Sequence, residues 1–259
     1  MSETSKGQGL NKQFSAIKEV RKWDRQLLAE GMNEIRNRSG AEYVDALQGL
    51  NATLQYILRL KSNVIVDVGA GSSRGIAELS KSRFGRDLTF KGVGLYRDPA
   101  IAHNIGWEHY TLTTAEIMRG FSNESVGAFI SVFGGLHYSK RLTFALSRED
   151  ELLVPGGVIK LCLAEDAASG LKESLKQQLN EEARVRNQAI ENFFRDRQYG
   201  IADMKRVWNS KEGEGSDRIF LAIKPGHGDG DPNEIAEYLL GADSITIEAM
   251  VDILEGSTS

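Results

Sequence analysis

Val64-Ile65-Val66-Asp67-Val68-Gly69-Ala70-Gly71-Ser72-Ser73-Arg74-Gly75 is the stretch that decides how this chain folds. An apolar run ends in an acid and passes through a glycine-rich turn into Ile76-Ala77-Glu78-Leu79, which reads as helix. That order describes a buried parallel strand feeding a loop built to hold a ligand. Glycine lets backbone approach a ligand closely, and the start of the following helix offers unpaired N–H groups.

On either side the same grammar repeats. Strands are expected at 63–68, 88–95, 107–112, 126–133, 158–164, 201–208 and 218–224, with helices at 74–83, 141–153 and 171–197 between them. Strands alternating with helices imply a mostly parallel, doubly wound α/β sheet of seven strands covered on both faces. The short link Glu212-Gly213-Glu214-Gly215 makes the last two strands an antiparallel terminal hairpin, so one edge strand runs against the rest. Before the sheet, 3.6-residue periodicity predicts two helices, 12–38 and 41–60, broken by Ser39-Gly40. Past Pro225 a Gly/Asp-rich linker leads to short helical patterns at 233–240 and 245–254. The expected organisation is an N-terminal helical extension (1–62), a ligand-binding domain (63–225) and an acidic helical tail (226–259).

Composition narrows the class. The chain has 259 residues, 41% hydrophobic and 26% charged, as expected of a soluble globular protein. No apolar run approaches a membrane span, and the first residues lack a signal-peptide core, so a cytoplasmic address is expected. The lone Cys162 excludes an intrachain disulfide and a multi-cysteine metal site, and the four histidines are too scattered for one; no metal is expected. The net charge of −4 is uneven: residues 1–62 hold ten Lys/Arg against seven Asp/Glu, and residues 225–259 hold eight acids and no base. The middle is near neutral and carries no strongly basic nucleic-acid footprint. The tail helices are a candidate contact between copies of the chain.

Four features in order resemble the class I S-adenosylmethionine-dependent methyltransferases, over about residues 63–224. They are Val64–Gly71; Ser131-Val132-Phe133-Gly134-Gly135-Leu136-His137-Tyr138 after the fourth strand; Leu152-Leu153-Val154-Pro155-Gly156-Gly157 before the fifth; and the closing long helix and hairpin. The resemblance implies methyl transfer from S-adenosylmethionine, with Asp67, Gly69, Ala70 and Gly71 at the cofactor and Val132 beside them. Where the family holds the ribose with an acid after the second strand, this chain has Tyr96, with Asp98 next. Tyr96 stacks on adenine or packs at the strand end; Asp98 reaches the ribose or caps a helix. After the third strand the adenine-facing position falls on Thr114, with Glu116 beyond it as a second candidate or as a first-turn helix acid. At the start of the fourth strand Gly127 replaces a customary acid.

At the methyl-transfer end, His137 is the candidate base because its pKa lies near neutrality, and Tyr138 lines the pocket. The Asn/Asp-Pro-Pro-aromatic sequence that marks many methylases of nucleobase or amide nitrogens is absent. The expected acceptor is a small molecule. A macromolecular acceptor, or a methyltransferase-fold protein that binds without turnover, are the alternatives. An NAD(P) oxidoreductase would need Gly-x-Gly-x-x-Gly, and Gly75 comes one residue late.

Overall fold

The computed structural model describes residues 37–95, 99–139, 141–211, 213–226 and 230–242, and from Arg38 onward they belong to one compact unit. Seven strands form one sheet: β1 (Val64–Val68), β2 (Thr89–Gly94), β3 (Tyr110–Leu112), β4 (Val126–Val132), β5 (Leu153–Asp166), β6 (Gly200–Ser210) and β7 (Gly213–Ile223). Their order is β3-β2-β1-β4-β5-β7-β6. Neighbours from β3 to β5 pair in parallel, and β7 runs antiparallel to both β5 and β6.

Helices cover both faces. On one lie α1 (Gly40–Ala46), α2 (Leu50–Ile57), α3 (Arg74–Leu79), α4 (Pro99–Asn104) and α8 (Pro232–Gly241); on the other lie α5 (Gly135–Tyr138), α6 (Leu142–Leu152) and α7 (Glu173–Arg195). Side chains alternate between the two cores at each strand position. Ile65, Ala128, Val158 and Ile219 face α1 and α2, whereas Val66, Phe129, Ile159 and Phe220 face α6 and α7. All seven residues of β4 are buried, as the central strand of a two-sided sheet requires.

The reversed strand is β7, and it is not at the edge as expected: it lies between β5 and β6. Sequence chemistry explains the placement. Ile219-Phe220-Leu221-Ala222-Ile223 is apolar on both faces and is buried throughout, so it needs cover on both sides. In β6, Asp203, Lys205 and Arg206 interrupt the apolar residues, which suits the rim.

Other boundaries differ from expectation: β7 starts at Gly213 rather than 218, α3 ends at Leu79 rather than 83, and three more differences bear on the architecture. The helix read at 41–60 is two helices, because Gly49 adopts φ +71° between them. A Cβ there would stand 2.1 Å from the Leu239 carbonyl oxygen, so close approach of α8 selects both the glycine and the break. Strand β5 starts at Leu153, five residues early, with a register shift in its pairing to β4 between Val126 and Ala128. Strand β3 is shortened to three residues by a 3-10 turn at Trp107–His109. The helices expected at 12–38 and 245–254 lie outside the described residues, apart from the end of the first.

Candidate ligand site at the carboxyl ends of β1 and β4

The turn after β1 is tied down from both neighbouring strands. Gly69 N and Ala70 N donate to the Val93 carbonyl of β2 (2.8 and 3.2 Å). From β4, Ser131 Oγ donates to the Val68 carbonyl (2.8 Å) and accepts from Gly134 N (3.1 Å). The two glycine loops therefore lie against each other: a Cβ on Gly69 (φ +88°) would be 2.5 Å from Gly135 N. Asn104 of α4 donates to the Ser72 carbonyl at 2.7 Å and fixes the far side of the turn.

Asp67 occupies the floor. Its place in β1 turns the side chain to the α1 face, where Tyr43 Oη donates to Oδ2 at 2.5 Å. The rest of the sequence builds that contact. Ser39 and Glu42 form a reciprocal capping box that starts α1, and Glu78 of α3 accepts from Gly40 N at 2.7 Å. Gly75 leaves room for the Tyr43 ring: a Cβ there would come within 2.4 Å of it. The glycine that breaks the dinucleotide-binding pattern thus has a packing reason of its own. Arg38 stacks over Phe133 at 5.5 Å and adds a positive charge near Asp67.

Electrostatically the site is poised. Burial pushes Asp67 up to about 7, and the Tyr43 hydrogen bond and Arg38 oppose that rise. Among the described residues Oδ1 of Asp67 is buried with no hydrogen-bond partner, and so are Ser73 Oγ and Thr114 Oγ1. Ser73, at φ 62°, caps α3 in a left-handed conformation that non-glycine residues rarely adopt. Gly92 opens the space between them: a Cβ there would sit 2.8 Å from the Tyr110 ring and 2.9 Å from Ser73 Oγ. Gly92 is the register partner of Asp67, so an acceptor and the Ser73 hydroxyl come together beside the glycine-lined turn, a pairing suited to a ligand carrying N–H and O–H groups.

The other residues singled out by the sequence fall as follows. Gly71 is in the turn at φ 52°. Val132 ends β4 with its side chain buried in the α1-side core. Glu116 does not open a helix, because a turn follows Ala115; its Oε1 instead accepts from Ser139 Oγ at 2.7 Å, joining the loop after β3 to the segment after β4. His137 and Tyr138 belong to α5, directly after β4, and only their backbone is described. Tyr96 and Asp98 lie outside the described residues. Gly127 cannot carry the customary acid, since a Cβ would meet the Ser62 carbonyl oxygen at 2.2 Å. Cys162 is a core thiol whose pKa burial pushes up to about 12. Among the described residues no cluster of His, Cys, Asp or Glu is placed to hold a metal, and no helix is long and apolar enough to cross a membrane.

Comparison with solved structures bears on the architecture. A phosphoethanolamine N-methyltransferase from Haemonchus contortus, crystallised with phosphomonomethylethanolamine and S-adenosylhomocysteine, aligns at a TM-score of 0.50 and 19% identity over 69% of this chain. The fold is that of the class I S-adenosylmethionine-dependent methyltransferases. This chain spans about half (52%) of that protein. A 1,6-didemethyltoxoflavin-N1-methyltransferase from Burkholderia thailandensis aligns at 0.48 and 15% identity, covering 83% of this chain and 91% of the other. No family model and no curated protein matches the sequence.

Missed by sequence reasoning were Tyr43, Arg38, Ser73 and Tyr110. Tyr43 stands 24 residues from Asp67, and its only sequence trace was the otherwise unexplained Gly75. The third glycine-like position, Ser73, was hidden because serine gives no sign of a positive φ.

Proposed function

We propose that this chain is a methyltransferase that binds S-adenosylmethionine over the β1 turn and methylates a small-molecule acceptor. The carrying observation is Asp67 Oδ1, a buried carboxylate oxygen without a partner at the carboxyl end of β1 in a methyltransferase fold. The cofactor carries an ammonium and a sulfonium, and a carboxylate is the group that compensates such charge. Ser73 and Thr114 offer hydroxyls to the rest of the molecule, and Tyr43 and Arg38 oppose the rise in pKa that burial imposes on Asp67.

When bound, the cofactor supplies a methyl group on a good leaving group. The chain's task is then alignment and exclusion of water. The segment Gly134–Tyr138 packs on the β1 turn through Gly69, so α5 borders the site directly. His137 on it is the proposed base for an acceptor that must lose a proton.

A non-catalytic reading draws support from Glu116 and Gly127. The first is engaged with Ser139 and the second has no room for a side chain. The two readings part in a turnover assay. Formation of S-adenosylhomocysteine is followed with panels of small amines, alcohols and thiols. A methyltransferase yields acceptor-dependent product, and His137→Gln lowers kcat by about 100-fold while leaving cofactor affinity within about twofold. Cofactor binding with no acceptor-dependent product would favour the binding protein.

A further inference from the structure

A second recess lies on the opposite face of the sheet from Asp67, between α7 and the β5–β7–β6 edge, with a volume of about 710 Å³. That is within the range of small-molecule sites. Its walls are polar: Asn180, Arg184, Asn187 and Gln188 descend from α7, and Glu165, Asp166, Asp203 and Arg218 rise from the strands. Along α7 the lining runs from Gln177 to Gln188, twelve residues or about 16 Å of helix, so the recess is elongated.

Asn187 sets its chemistry. The side chain is 7% exposed, and Nδ2 donates to the Ala164 carbonyl at 3.0 Å, which fixes the amide's orientation. Oδ1 is buried and has no partner. It is an acceptor waiting for a donor, in a recess where the cations are already committed. Arg218 bonds Glu191 (2.8 Å) and Asp203 (2.9 Å), and Arg184 bonds Glu181 through two nitrogens. Glu165 and Asp166, at the end of β5, share Lys205 at 3.7 and 2.6 Å and the Ser216 hydroxyl at 3.2 and 2.9 Å, and Lys176 adds positive charge near Asp166. Over the lining as a whole four carboxylates (Glu165, Asp166, Glu181 and Asp203) stand against two guanidinium groups (Arg184 and Arg218). A donor that carries positive charge satisfies both the amide oxygen and that excess. Among the described residues no group of His, Cys, Asp or Glu is placed to hold a metal.

We propose that this recess binds a small organic ammonium compound, an amine protonated at neutral pH, with Asn187 Oδ1 accepting one of its N–H groups and Glu165 balancing its charge. The site is independent of the cofactor reading: it lies in the other core layer and shares no residue with it.

The test is an amide NMR titration of the full chain with 1,4-diaminobutane, with 1,4-butanediol as a neutral compound of equal length, at constant ionic strength. The diamine is expected to give saturable shifts centred on residues 164–188, 203 and 218, and the diol none. Asn187→Leu weakens binding at least tenfold. Glu165→Gln, a near-isosteric change on a side chain 35% exposed, weakens it several-fold and keeps the test alive if the first variant misfolds. Shifts that do not saturate, or that survive both substitutions, overturn the site. Equal binding of the diol overturns the ammonium assignment.

Discussion

Asp67 is raised to about 7 chiefly by burial, so near neutrality it is half protonated until a cation arrives. A ligand that binds only the carboxylate form must expel the proton first. Affinity for S-adenosylhomocysteine should therefore rise toward about pH 8, above which its own α-ammonium begins to lose its proton. It should fall about tenfold per pH unit well below 7. Tyr43→Phe sharpens the test. The ring still fills the space over Gly75, but the hydrogen bond that favours the carboxylate is gone, so the midpoint moves to higher pH. At pH 7 the variant should bind more weakly than the parent, and by pH 9 most of the difference should disappear. Calorimetric titrations of both proteins across pH 6–9 read this out. Parallel curves with an unshifted midpoint would show that Tyr43 does not govern Asp67.

At the scale of elements, Gly49 divides α1 from α2, and α8 lies where its Cβ would be. Gly49→Ala combines an unfavourable positive φ with a backbone clash, and should cost about 2–4 kcal/mol, read as a fall in the denaturation midpoint. The same glycine shows what the sequence could and could not disclose. Strands β1 and β4 were readable because each is an apolar run that burial on both faces demands, and both lie within a residue of their expected bounds. The helix break was not, because Leu47, Leu50 and Leu54 continue the apolar stripe across it, and the reason for the break is a carbonyl 190 residues away. The site divides along the same line. Asp67 and its glycines announce themselves within twelve residues. The hydrogen bond from Tyr43, the tie from Glu116 to Ser139 and the positive φ of Ser73 exist only after the chain has folded.

Across the whole molecule, three buried ionisable groups shape stability against pH. Glu149 of α6 is fully buried with neither oxygen partnered, and burial holds its pKa well above the ordinary value. Asp67 behaves similarly. Lys160 of β5 is fully buried against α2, donates among the described residues only to Thr53 Oγ1 at 3.0 Å, and is pushed down to about 7 by burial. For both acids the folded chain binds the proton more tightly, so their contribution is greatest at low pH and is lost as pH rises from about 4. For Lys160 the unfolded chain binds the proton more tightly from about 7 to 10.5, so stability is recovered only as pH rises through that window. Summed, these groups favour the fold least near neutrality.

Replacing Glu149 with Leu and Lys160 with Met should raise the melting temperature at pH 7, each by the equivalent of about 1–3 kcal/mol, and flatten its pH dependence. Thermal melts from pH 5 to 10 test this; lowered melting at neutral pH in both variants would mean the two groups have partners that stabilise the fold.

The central claim is that Asp67 receives the cationic end of the cofactor, and isothermal titration with S-adenosylhomocysteine at pH 8 tests it most directly, on the parent and on Asp67→Ala. The parent should bind at micromolar or tighter affinity, and the folded variant should bind at least about 100-fold more weakly. Equal affinity in the variant, or no binding by the folded, ligand-free parent, would contradict it.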